Sequence, residues 1–268
     1  MYNIRYKTEG AAMFDKWLLC DLHIHTNISD GQLSLRTIID LYGENGFDVI
    51  SITDHVYEKY TVDLWLNNNE RPCTIEKNKF GDYLKLIRKE AKRAWKRYKM
   101  LVIPGIEISN NLGLFHLLAI DIKEYIDPNQ TVENIVDQIH LQDAIAIACH
   151  PHKKDSEPEM PFVHLWENVE RYASLFDAWE VANRDDLFNV VGLKRLNYIA
   201  NSDFHEPRHV YSWKSLIKSE KNTDSIKEAI RRNKKIALYL FRKNPVTEDM
   251  PEDIPSREAD VEDRYKAL

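Results

Sequence analysis

The sequence predicts an α/β protein built on a mostly parallel sheet or barrel. Three observations carry that expectation. Short apolar runs rich in β-forming residues alternate with amphipathic stretches of helical period. Residues able to bind metal stand where the apolar runs stop. The composition, 43% apolar and 30% charged over 268 residues, is that of a globular chain of one domain or a little more.

In chain order, strands are predicted over 17–25, 48–55, 100–108, 115–122, 144–150, 177–182, 198–203 and 236–241. Helices are predicted over 33–44 after Ser29 and Asp30, 131–142 after Pro128, and 224–233 after Asn222 and Thr223, each opened by a plausible start signal. Two more are expected over 164–175 and 187–196. The stretch 79–99 reads as a long helix with Phe80, Tyr83, Ile87, Ala91, Ala94, Trp95 and Tyr98 as its apolar stripe. Its other face carries Lys85, Arg88, Lys89, Lys92, Arg93, Lys96 and Arg97, which suits either a solvated surface or a nucleic-acid or acidic partner. Residues 1–244 are expected to form one domain, and 245–268, with eight acidic residues, three basic ones and three prolines, an acidic tail.

Lys plus Arg is 37 and Asp plus Glu is 43, a net charge of −6, which argues against a broad nucleic-acid-coating surface. The odd, well-separated Cys20, Cys73 and Cys149 build neither a disulfide framework nor a CxxC motif, a pattern that suits a reducing cytoplasm. No stretch approaches the roughly 18 consecutive apolar residues of a membrane helix, and the first residues do not read as a secretory signal. No GxGxxG, GxxxxGK[ST] or GxSxG motif is present.

The chemistry lies with the ten histidines. His23 and His25 are two apart at a strand end and so point the same way. Asp30 follows in the next loop, His55 follows VISIT, Glu107 follows LVIPGI, His150 follows AIAIAC, and Asp203 and His205 follow YIAN. In parallel α/β folds the carboxyl ends of strands converge on one face, so these residues can meet. His116 joins them if a turn over 110–113 sets Glu107 directly opposite His116 in an antiparallel pair. Nine donors exceed the needs of one ion and point to two or three divalent ions sharing a carboxylate. Mixed imidazole and carboxylate sets accept Zn, Mn or Fe.

His152, beside His150-Pro151, is a candidate to bind substrate or protonate a leaving group. Arg184 and Arg208 follow strand ends, where a guanidinium suits a second phosphate or a nucleotide. Asp54 should face away from His55 and act structurally; Cys149 should face away from His150; His140 and His164 read as structural.

DLHIHT with Ser29-Asp30-Gly31, then ITDH, PGIEIS, His150-Pro151 and NSDFH resemble the motifs of the polymerase and histidinol phosphatase (PHP) superfamily, in order, across about two thirds of the chain. The resemblance implies a distorted (β/α)7 barrel with a trinuclear site at the carboxyl ends of the strands that hydrolyses phosphoesters. It implies His23, His25, Glu107 and Asp203 around a first ion, Glu107 bridging to a second held by His116 and His150, and Asp30, His55 and His205 around a third. The stretch 56–99 is longer than the short connection expected of the family and leaves the substrate open. Such ions would lower the pKa of water towards neutrality for in-line attack on phosphorus, with no Ser or Cys nucleophile. The expected function is hydrolysis of a phosphate ester, a small phosphorylated metabolite or a nucleotide. The alternatives are a nuclease guided by the basic helix and a non-catalytic, metal-stabilised regulatory module.

Overall fold

The computed structural model describes residues 17–151, 162–188 and 195–242. His152, the acidic tail and most of the helix expected over 187–196 lie outside them. The strands are β1 (Trp17–Asp21), β2 (Val49–Ile52), β3 (His55–Tyr57), β4 (Leu101–Asn110), β5 (Phe115–Ile120), β6 (Ile145–Ala148), β7 (Ala178–Asn183), β8 (Asp186–Leu187), β9 (Tyr198–Asn201), β10 (Trp213–Lys218) and β11 (Ile236–Leu240). The helices are α1 (Leu35–Glu44), α2 (Lys59–Asn67), α3 (Phe80–Tyr98), α4 (Val132–Leu141), α5 (His164–Glu167), α6 (Val169–Tyr172) and α7 (Thr223–Arg232).

All eleven strands join one curled sheet in the order β11-β10-β1-β2-β4-β5-β6-β7-β8, with β3 added to β4 and β9 to β7. It is mixed rather than mostly parallel. The links β1–β2, β2–β4, β3–β4, β6–β7 and β7–β9 are parallel. β5 is antiparallel to both its neighbours. It returns from β4 through a four-residue loop, too short for the crossover that a parallel pair requires. β11 falls within the strand expected over 236–241, whereas β10 was not expected: it runs antiparallel to β1 and to β11 and extends the sheet beyond the alternating pattern. The curl brings the continuation of β1 to that of β9, where Ile24 bridges Phe204 in parallel and His25 N donates to Phe204 O at 2.8 Å.

Both faces of the sheet are buried. Alternation along β2 sends Val49 to a cluster with Cys20, Ile103, Leu118, Ile147, Ile199 and Ile217, covered by Ile226 and Ile230 of α7. Ile50 and Ile52 pack on the opposite side against Ile38, Ile39 and Tyr42 of α1 and Tyr83 and Ile87 of α3. Burial on two faces is why the strands read as near-continuous apolar runs. Gly43 of α1 lies against the Tyr98 ring, where an added Cβ would come within 2.4 Å of ring carbons, so the α1–α3 approach depends on glycine.

Ser34 caps α1 by accepting from Thr37 N, Thr131 caps α4 through Asn134 N, and Asn222 caps α7 through Ser225 N. Ser29 and Asp30, expected to open the first helix, belong instead to the loop ahead of it. The helix expected over 164–175 is split at Asn168 into α5 and α6. The long stretch 56–99 holds the rest of β3 after His55, then α2 and α3, of which only α3 was expected.

Candidate metal centre

Six strands or their following loops send side chains to one place. His23 and His25 leave β1 together; Asp30 arrives from the following loop; His55 opens β3; Glu107 and His116 come from the β4–β5 hairpin; His150 follows β6; Asp203 and His205 follow β9. Their donor atoms form four overlapping groups, each with all its atoms within 4.8 Å of one another: His25, Asp30, His55 and His205; His23, His25, Glu107 and Asp203; His55, Glu107 and His116; and Glu107, Cys149 and His150. All nine donors singled out in the sequence are thus brought together, and Glu107 belongs to three of the groups.

Glu107 is fully buried and faces His23 Nε2 and His25 Nε2 at 3.1 Å each, His116 Nδ1 at 2.8 Å and His150 Nε2 at 3.1 Å. Burial pushes its carboxyl up, but the imidazoles of His23, His55 and His116 outweigh that and hold it well below the usual carboxylate range. The reciprocal effect falls on the histidines. Burial pushes His23 down, yet Glu180, Glu107 and Asp203 raise it well above an ordinary imidazole; Asp30 and Glu107 likewise outweigh burial at His55. Burial also opposes ionisation of Asp30, and His55 and His205 reverse it to well below the ordinary value. For His116 burial prevails, and its imidazole is lowered.

The expected turn over 110–113 sits one residue later. Asn110 pairs with Phe115 and Ser109 with His116, so Glu107 lies opposite Leu118 rather than His116. A loop displaced by one residue shifts the summed register by two, which keeps every side chain on its face. Glu107 and His116 therefore become diagonal neighbours and still meet. Asn110 Oδ1 accepts from Gly113 N, and Glu58 accepts from Asn111 N and Leu112 N, which fixes the loop at this position.

Cys149 corrects another expectation. Its Sγ lies 3.2 Å from Glu107 Oε1 rather than facing away from the cluster. The reason lies in His150, whose backbone φ is +28°, so strict strand alternation has ended by that residue. Arg184 at +49° and Asp203 at +50° occupy the same unfavourable region at neighbouring strand ends. Each non-glycine residue held there costs roughly 1–2 kcal/mol, and such strain gathers where a site over-determines the backbone.

A supporting shell holds the donors. Glu180 of β7, which the sequence reading did not select, is fully buried and places Oε1 2.9 Å from His23 Nδ1. Its carboxylate also accepts from His150 N at 2.7 Å and from the side-chain amides of Asn183 and Asn201 at 2.9 Å each. A glutamate inside the apolar run AWEVA was the available signal. Ser109 Oγ lies 2.7 Å from His55 Nδ1, and Asn111 Oδ1 lies 3.0 Å from His116 Nε2. Asp54 points away from the cluster and accepts from Thr26 N, Thr26 Oγ1, Ser29 N and Ser29 Oγ, which shapes the loop carrying Asp30. His140 faces Asp177 and His164 faces Tyr172, and neither belongs to the four donor groups.

His25 tests whether this donor set suits cations. Its ring is fully buried and, among the described residues, neither nitrogen meets a partner in hydrogen-bond geometry, although Nε2 lies 3.1 Å from Glu107 Oε2; a buried polar group left so costs about 1–3 kcal/mol unless something else engages it. Crowded imidazole and carboxylate atoms, one imidazole with neither nitrogen in hydrogen-bond geometry, and anchored partners behind His23 and His55 are what a divalent-ion site requires. The cluster opens to solvent at Asp30 and His205, whose side chains are 34% and 22% exposed.

Arg184 reaches this opening: one guanidinium nitrogen is 3.2 Å from Asp203 Oδ2 and 3.2 Å from His205 Nδ1. Arg208 is highly exposed and pairs with Glu206. The basic face of α3 lies elsewhere. Lys85 pairs with Asp82 and Arg93 with Asp40 and Glu90, whereas Arg88, Lys89, Lys92 and Lys96 are exposed. Because α3 ends just before β4 begins, its last turn sits about 20 Å of strand from Glu107, at the opposite end of the sheet. Among the described residues no helix is long and apolar enough to cross a membrane.

No family model matches the chain, and comparison with curated proteins finds no match. Solved structures do match. A two-domain protein from Bacteroides vulgatus, described as containing a predicted PHP-like metal-dependent phosphoesterase, aligns at 20% identity over 90% of this chain and 70% of its own, with a TM-score of 0.62. PsfC from Pseudomonas syringae aligns at 13% identity over 84% of this chain and 91% of its own, with a TM-score of 0.52. The chain thus shares its fold with a protein described as containing a predicted PHP-like phosphoesterase, the superfamily its own motifs resemble.

Proposed function

We propose that this chain is a metal-dependent phosphoesterase that hydrolyses the phosphate ester of a small phosphorylated metabolite or a nucleotide. The observation that carries the reading is Glu107, a buried carboxylate shared by three of the four donor groups. A single residue so placed suits bridged ions better than an isolated one. In this reading the circuit β1-β2-β4-β5-β6-β7-β9, joined through Ile24 and Phe204, is the distorted seven-stranded barrel, and the centre lies at its rim.

His23, His25, Glu107 and Asp203 would hold one ion; Glu107, His116 and His150, with Cys149 beside them, a second; Asp30, His55 and His205 a third. Bound divalent ions supply Lewis-acid polarisation of phosphoryl oxygens and a lowered pKa for water. The chain's own side chains do the rest. Glu180 keeps a proton on His23 Nδ1, so that Nε2 points unprotonated into the cluster. Ser109 aligns His55 in the same manner. Arg184, at the opening, is placed to bind a phosphoryl oxygen while its contact with Asp203 keeps the guanidinium oriented. Asp30 and His205, the most exposed donors, mark the side from which substrate enters.

The test is release of nitrophenol by the manganese-reconstituted chain from p-nitrophenyl phosphate and from its bis-ester, with His205→Ala as control. Turnover that the variant lacks while remaining folded supports the reading. Silence on both esters with ions bound opposes it and favours a non-catalytic module.

A further inference from the structure

Beside the centre lies a second cavity that the reading so far does not use. It has a volume of about 570 Å³ and is lined by Arg184, Asp185, Arg208, His209, Tyr211, Ser212 and Arg242, a size typical of small-ligand sites. Three guanidiniums from three separate parts of the chain converge on it: the β7–β8 turn, the 3₁₀ segment Pro207–Val210, and the residues after β11. We propose, resting on the phosphoesterase reading, that this cavity binds a second phosphate group of the substrate, so that the preferred substrates carry two phosphates.

Arg184 connects the two sites. It lines the cavity, yet its guanidinium touches Asp203 and His205 of the centre. A molecule with one phosphate at the centre therefore reaches the cavity past a single side chain. The floor is rigid: Trp213 N donates to Arg184 O at 3.1 Å, Phe241 N to Ser212 O at 3.0 Å, and Ser212 Oγ to His209 O at 2.8 Å. Beneath it the buried Lys214 ammonium donates to Ser212 Oγ at 2.7 Å. Tyr211 and Phe241 stack face to face, 5.9 Å apart and within 3° of parallel, which fixes the wall from which Arg242 projects.

The carboxylates facing the guanidiniums include Asp203, 3.2 Å from Arg184, Asp185, 3.4 Å from Arg242, and Glu206, which pairs with Arg208 and lies 3.1 Å from His209 Nε2. The Arg242 and Arg208 pairs are solvent-exposed on the arginine side, where such contacts contribute little, whereas Arg184 stays held on Asp203. A phosphate dianion that accepts from two guanidiniums at once replaces them with shorter, charge-assisted bonds. Arginine rather than lysine at all three positions suits bidentate phosphate contacts.

Two measurements on the full chain test this. In the first, kcat/KM of the manganese-reconstituted protein is compared for glucose 1,6-bisphosphate and glucose 6-phosphate. The bisphosphate is expected to be preferred at least tenfold, and Arg242→Gln to reduce that preference at least fivefold, mainly through KM, with partial recovery in Arg242→Lys. In the second, inorganic phosphate is titrated calorimetrically into chelator-treated protein, where Arg242→Gln is expected to weaken binding at least fivefold. Turnover without preference for the bisphosphate, with phosphate binding equal in both proteins, overturns the inference and leaves the phosphoesterase reading standing. Arg242-dependent phosphate binding in a chain that turns over neither glucose ester nor the nitrophenyl esters supports the cavity as a phosphate site and opposes the phosphoesterase reading.

Discussion

Replacing Glu180 by glutamine isolates the shell behind the centre, because size and shape are kept while one acceptor oxygen becomes a donor. Four donors converge on the carboxylate: His23 Nδ1 and Asn201 Nδ2 on Oε1, and His150 N and Asn183 Nδ2 on Oε2. The amide can sit either way round. With its NH2 towards Oε1 it faces Asn201 Nδ2, which cannot turn away because Asn201 Oδ1 accepts from Leu22 N at 2.8 Å. His23 then relieves its own clash only by moving its proton to Nε2, the nitrogen that faces Glu107 and Asp203. With the NH2 towards Oε2 it faces His150 N, a backbone donor with no freedom to reorient, whereas Asn183 can flip because its Oδ1 has no partner among the described residues. Either orientation leaves one buried donor unsatisfied, at about 1–3 kcal/mol. For a chain of this size each kcal/mol lowers Tm by about 2–4 °C, so a fall of roughly 2–12 °C is expected. Loss of such an outer carboxylate weakens metal binding about 10–100-fold. Calorimetric melting and metal titration of Glu180→Gln read both quantities. A Tm within about 1 °C of wild type together with metal affinity within twofold would refute the assignment of Glu180 as the anchor of His23.

Chelator-treated protein should lose stability as pH rises, because His23 and His55 have folded-state pKa values raised by Glu180 and Asp30 respectively, against the effect of burial. Their protonation contributes fully below the ordinary imidazole value of about 6.5 and is lost as pH climbs through the raised values. Metal-loaded protein should show the opposite trend, since ions compete with those protons; a Tm of chelated protein that is flat or rising between pH 6.5 and 9 contradicts this. Gly31→Ala should destabilise by about 1–3 kcal/mol, because the added Cβ falls 2.4 Å from His25 O and 2.7 Å from His25 C, backbone atoms with nowhere to move. Denaturant melting within 0.5 kcal/mol of wild type would show that the Asp30 loop yields. Lys214→Met should cost about 3–5 kcal/mol by stripping the buried Asp21, 3.4 Å away, of its cation, and Asp21→Asn in the same chain should recover part of the loss. No recovery in the double variant would mean that Lys214 acts through packing alone.

The donors were legible because their signal is local: an apolar strand ends, and the next residue is His, Asp or Glu. The register of the β4–β5 hairpin was legible only to within a residue of the turn, yet its consequence survived, since the period of two kept Glu107 and His116 on one face. Glu180 was hidden because a buried carboxylate looks like a flaw in a strand until the partners it anchors are known. Those partners, His23 and Asn201, are 157 and 21 residues away in sequence. β10 escaped notice because its polar residues, Lys214 and Ser215, are buried through contacts with Asp21 and Ala200 that only the tertiary fold creates. Cys149 was misplaced because alternation was extended one residue beyond its end, to His150 with its positive φ. The cavity beside Arg184 joins segments remote in sequence, and no local pattern joins Arg208 to Arg242.

The claim on which the account turns is that Glu107 ties several ion positions into one centre. Mass-spectrometric metal analysis of the purified chain and of Glu107→Gln, both reconstituted with manganese and then freed of unbound ion, tests it most directly. Wild-type protein should hold two to three equivalents per chain, and the single substitution should remove more than one of them, because Glu107 belongs to three donor groups. One equivalent or none in the wild type, or an unchanged count in the variant, would contradict a shared centre.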